Sequence, residues 1–101
     1  MATLPMWDGQ KKFSYEGSVK EGIKIGGTSI SVSASQFSRL LSHFAGRGVP
    51  LGISEDPPGN SVGYWLRKKI LDDDNIAQFI GAILVKEGYG ERLGHTHIVF
   101  Q

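Results

Sequence analysis

Three consecutive cations, Arg67, Lys68 and Lys69, stand just after Tyr64 and Trp65. Cations beside aromatic rings can neutralise phosphates while the rings stack on bases, so this cluster is the first candidate for chemistry. A plainer reading stands beside it: Trp65 fills the core while the cations solvate a helix face, partly neutralised by Asp72, Asp73 and Asp74. His95 and His97 are two apart in a run rich in β-branched and aromatic residues, a spacing that points both imidazoles the same way from a strand. A metal would require a third ligand such as His43 or an acid, and the chain has neither cysteine nor a His-Glu-x-x-His pattern, so we assign no metal and no cofactor. A catalytic serine would require a positioned base and oxyanion donors, and we assign no nucleophile elbow. Residues 72 to 74 point about 100° apart on a helix and cannot converge on one ion; they suit the positive start of a helix. Gly46 and Gly48, and Gly88, Gly90 and Gly94, lack the spacing of phosphate loops and are expected in turns. With no converging acid, base and nucleophile, the chain is expected to bind rather than catalyse.

The elements that would position these residues follow from periodicity. Phe13, Tyr15 and Val19 alternate with polar residues, and Ile23-Lys24-Ile25 and Ile30-Ser31-Val32 flank Gly26-Gly27, a pair suited to a tight turn. The N-terminal third is therefore expected as a three-stranded antiparallel meander, preceded by a flexible tail over residues 1–10. If that tail orders on a neighbouring subunit, Trp7 is its anchor. Ser33 followed by Gln36 makes a capping box, and Phe37, Leu40, Leu41 and Phe44 then line one helical face. Gly46 or Gly48 ends that helix. Val49 to Ile53 is compatible with a strand or a packed loop, and Asp56-Pro57-Pro58-Gly59 marks a surface loop. Asn60 or Ser61 caps a second helix with Val62, Trp65, Leu66 and Ile70 on its inner side. Ile76, Phe79, Ile80, Ile83 and Leu84 define a third helix closed by Glu87-Gly88, and residues 95–100 form a last strand. In that strand Thr96, Ile98 and Phe100 share one face, opposite His95, His97 and Val99.

The totals agree with one α+β domain over residues 11–101. At 101 residues and 40% hydrophobic content the chain can bury a core without disulfides or metals. The absence of cysteine fits the cytosol, and no apolar run approaches the roughly 20 residues of a membrane helix, so no membrane partner is expected. A formal charge of +1 confines any nucleic-acid binding to a local patch.

The stretch from Asn75-Ile76-Ala77-Gln78-Phe79-Ile80-Gly81 through Leu84, Glu87-Gly88-Tyr89 and Arg92 to His97-Ile98-Val99-Phe100 resembles the recognition helix and wing of winged helix-turn-helix domains. The resemblance spans residues 34–101. It implies a helical core built from helices 34–45, 61–71 and 74–87, and DNA binding through the third helix in the major groove. The chain departs from that pattern on the third helix, whose open face would carry Gln78, Gly81, Ala82 and Val85 in place of several cations. Two functions follow. One is a nucleic-acid-binding module that meets phosphates with Arg67, Lys68, Lys69, Gln78 and Arg92. The other is a protein-interaction adaptor or homodimer that uses the Gly81, Ala82 and Val85 face or a sheet edge.

Overall fold

The computed structural model describes residues 2–101. Along the chain run β1 (Ala2–Pro5), β2 (Lys12–Ser18), β3 (Gly22–Ile25), β4 (Ser31–Ser33), α1 (Ala34–Phe44), β5 (Gly48–Pro50), α2 (Val62–Lys69), α3 (Ile76–Lys86), β6 (Gly90–Leu93) and β7 (His97–Phe100). The strands make two antiparallel sheets, one ordered β1-β2-β3-β4 and the other β5-β7-β6. The class is α+β with three helices and a C-terminal strand, as the periodicities imply. No helix among the described residues is long and apolar enough to cross a membrane.

The meander has four strands where three were expected. The segment expected as a flexible tail supplies the extra one: β1 pairs along β2 from Ala2 opposite Tyr15 to Pro5 opposite Lys12. Ala2 and Leu4 are half-buried while Thr3 and Pro5 are exposed, the alternation of a sheet packed on one face. So short a pattern carries little signal by itself. Pro5 is tolerated because β1 is an edge strand, where a missing N–H breaks no ladder. Trp7 then enters the core of its own chain, 2% exposed, and needs no neighbouring subunit to anchor it.

The β2–β3 connection depends on glycine. Gly17 has φ +90, and a Cβ there would sit 2.0 Å from the Gly22 carbonyl oxygen, so no other residue fits this close approach. Helix α1 begins with both halves of its capping box in place: Gln36 N–H donates to Ser33 Oγ at 3.1 Å, and Ser33 N–H donates to Gln36 Oε1 at 2.8 Å. Phe37, Leu40 and Phe44 are buried on its inner side. Of the two readings open for residues 49–53, the chain takes both. Val49 pairs with Ile98 in β5, and Leu51 then packs, fully buried, in a loop.

Helix α3 is the most enclosed helix, with Ile76, Ala77, Phe79, Ile80, Gly81, Ile83 and Leu84 all buried. It touches both sheets. Phe79 meets Phe13 of β2 edge-on at 5.0 Å, and the chain leaves α3 through Gly88, at φ +85, directly into β6. The last strand is shorter than expected, because Gly94 to Thr96 turn the β6–β7 hairpin before His97 begins β7. Its faces agree with the alternation: Ile98 and Phe100 are buried, and Phe100 stacks on Phe44 at 5.2 Å, while Val99 faces out.

Candidate nucleic-acid interface

The basic cluster sits on the last turns of α2. Ser61 starts that helix: its hydroxyl accepts from Tyr64 N–H at 3.1 Å and donates to the Pro58 carbonyl at 2.7 Å. Val62, Gly63 and Leu66 then face inward, which turns Tyr64, Lys68 and Lys69 outward. Gly63 lies against the preceding loop, where a Cβ would meet the Gly52 carbonyl oxygen at 2.0 Å, so α2 is set tightly on residues 51–52.

The three cations separate. Arg67 turns into the protein, its side chain 21% exposed, and pairs with Asp72 at 2.6 Å and Asp74 at 3.3 Å. Its Nη1 also donates to the Glu55 carbonyl at 2.7 Å. The hydrogen bond to Asp72 holds the Arg67 guanidinium above its ordinary pKa. Arg67 thus ties the 54–58 loop and the α2–α3 connection to α2, leaving little of its charge for a ligand. Lys68 stands over the exposed Tyr64 ring at 5.5 Å, and Lys69 is exposed beside it. Among the described residues the ion pairs are those of Arg67; neither lysine forms one, although Lys68 lines a shallow cleft with Glu55, Asp56 and Asp72.

The acids do not open the third helix as expected. Its first residue is Ile76, its N-cap is Asn75, and no acid occupies its first turn. Asp73 instead accepts from Asn75 N–H at 2.8 Å in a tight turn, and Asp72 and Asp74 face Arg67. A close guanidinium is worth more to these carboxylates than a helix end one turn away.

Gln78 and Arg92 converge on Trp7 and not on an open face. Trp7 N–H donates to the Gln78 carbonyl at 3.2 Å, and Asp8 N–H donates to Gln78 Oε1 at 3.3 Å. The indole N–H donates to the His95 carbonyl at 2.7 Å. Arg92 lies over the indole at 4.0 Å and donates to the Trp7 carbonyl at 2.9 Å. Gly81 is where the ring rests: a Cβ there would come within 3.0 Å of Trp7 Cε3 and 2.9 Å of the Leu51 methyls. The small residue on α3 therefore admits the protein's own tryptophan and loop, so Gly81 is not part of an open interaction face; Ala82 and Val85 are only half-buried. Beside Gln78, an open cleft of about 720 Å³ separates the start of α3 from the β1–β2 loop, with Asp8, Lys11 and Lys12 in its lining.

His43 and Trp65 form an aromatic pair that sequence reading did not join. Their rings lie 6.2 Å apart, and His43 packs edge-on against Phe44 at 4.7 Å. The local pattern placed Trp65 on the inner side of α2 and offered no signal that His43 would stand beside it. His95 and His97 sit at the hairpin, where His97 Nδ1 is 2.8 Å from Thr96 Oγ1. Among the described residues no three histidine, aspartate or glutamate side chains gather as a metal site.

One motif was missed altogether. Gly59-Asn60-Ser61-Val62-Gly63 has the spacing of a serine nucleophile elbow. Here it follows a Pro-Pro loop and not a strand, and Ser61 is 1% exposed with its hydroxyl committed to Pro58 and Tyr64. It is a helix cap. No protein-family model, curated protein or solved structure matches this chain.

Proposed function

We propose that this chain is a non-catalytic, cytosolic binding module that holds the phosphate backbone of a nucleic acid on α2, around a winged-helix-like core. The observation that carries this reading is the pair Lys68 and Lys69, exposed and in no ion pair among the described residues while Arg67 takes up Asp72 and Asp74. The winged-helix likeness is supported by three helices followed by a hairpin, with α3 running through Gly88-Tyr89 into β6 and β7. Reading of the major groove by α3 finds no support: its exposed stripe carries no cation before Lys86, and Gln78 is engaged by the Trp7–Asp8 segment. Contact with phosphates alone positions a duplex without reading its sequence, so the expected binding is sequence-tolerant.

Amide chemical shifts followed during titration with a short mixed-sequence duplex test this. At low salt the shifts should cluster on residues 64–69, and affinity should fall steeply as salt rises, because neutralised phosphates release counterions. Absence of shifts at low salt with this duplex and with a single strand of equal length overturns the reading.

A second reading, homodimerisation or a protein partner, is favoured by one observation. The outer face of the small sheet exposes Leu93 at 59% and Val99 at 36%, both on the side away from Ile98 and Phe100. Salt-insensitive self-association in sedimentation would select it.

A further inference from the structure

We infer that the nucleic acid is single-stranded and that a base stacks on the His43–Trp65 pair while its flanking phosphates meet Arg39, Arg47 and Lys69. This rests on the nucleic-acid reading above and deepens it. The C-terminal turn of α1 and the first turn of α2 come near each other at the two rings, 6.2 Å apart and inclined at 36°. His43 is exposed and Trp65 half-buried, so part of the aromatic surface stays in contact with solvent.

Cations surround this platform by helical spacing. Arg39 precedes His43 by one turn on α1 and is exposed. Arg47 follows the helix, exposed, with Nη1 reaching back to the His43 carbonyl at 3.5 Å. Lys69 follows Trp65 by one turn on α2. None of these cations forms an ion pair among the described residues. The occupant that matches is a polyanion carrying flat apolar faces. A duplex hides those faces in its own stack and offers only phosphates; a single strand offers both, and stacking on aromatic side chains tolerates any base.

Two indole N–H signals make the test internal to the wild-type protein. Trp7 is enclosed and its N–H is bonded to the His95 carbonyl, whereas Trp65 lies in the proposed platform. On titration with a ten-nucleotide oligothymidylate at low salt, the Trp65 indole signal should shift while that of Trp7 stays. Anisotropy of the same labelled strand should show tighter binding than a mixed-sequence duplex of equal length. Trp65→Leu, which keeps an apolar side chain toward the core, should weaken binding of the strand about tenfold, the loss expected for one stacked base. Equal affinity for strand and duplex with an unmoved Trp65 signal overturns the stacking inference while leaving phosphate binding intact. No binding of either probe overturns both.

Discussion

On the flank made by α3 and β6, Gln78 and Arg92 are held by the Trp7 segment. On the flank made by α1 and α2, Lys68, Lys69, Arg39 and Arg47 have no ion-pair partner among the described residues, and Trp65 keeps part of its ring open. Both flanks combine a tryptophan with cations. They differ in what completes the tryptophan's surroundings: on the first, a carbonyl, a guanidinium and a glycine of the same chain; on the second, one histidine ring with solvent beyond. The same residue types therefore serve cohesion on one side and are available to a ligand on the other. A guanidinium over an indole is attractive whether it closes a core or catches a base, and only the third partner decides which.

Removing the closed tryptophan should produce the largest effect. Trp7→Ala empties the site against Gly81 and Leu51 and unpairs the His95 carbonyl, and it should lower unfolding free energy by about 3–5 kcal/mol in a denaturant titration. If the variant instead keeps its stability and binds DNA more tightly, the Trp7 segment is a removable cover over Gln78 and Arg92, and the contrast between the flanks is regulatory.

A smaller effect is expected at the seam between the first sheet and α3. Glu87 accepts from Tyr15 Oη at 2.8 Å and from Val19 N–H at 2.9 Å. Glu87→Ala leaves both donors short of a partner and should cost about 1–3 kcal/mol. Burial first, and then the bond to Glu87, push the Tyr15 hydroxyl from 10.0 up to about 12. Because the folded pKa is the higher one, the stability linked to Tyr15 is complete below pH 10.0 and is lost as pH rises toward about 12, where the unfolded chain ionises first. Ultraviolet titration should show Tyr15 ionising earlier in Glu87→Ala. An unchanged titration would mean that Glu87 does not sense that hydroxyl.

The smallest effect on stability belongs to the open flank. Lys69→Glu should change unfolding free energy by no more than about 0.5 kcal/mol while weakening oligonucleotide binding and flattening its salt dependence. A large loss of stability would show that Lys69 is part of the structure after all and would remove the distinction between the two flanks.

The local signals of the chain determined most of its elements. The Ser33–Gln36 capping box, the spacing of Phe37, Leu40 and Phe44, the Ser61 cap and the alternation of Ile98 with Phe100 each lie within a few residues, and each formed as its pattern implied. Local pattern also separated Lys68 and Lys69 from the inner face of α2. Tertiary structure alone decided where partners lie far apart in sequence. β1 became a strand because β2 offered it an unpaired edge, and Trp7 became core because Gly81, Leu51, His95 and Arg92 surround it, residues up to 88 positions away. Arg67 left the basic cluster because two carboxylates beyond the end of its helix fold back to it, and His43 came to stand beside Trp65 through the packing of α1 near α2. Periodicity records which way a side chain faces from its own element. It carries no record of what stands opposite, and that neighbour decides whether a cation, an indole or a serine hydroxyl is consumed by the fold or left for a ligand.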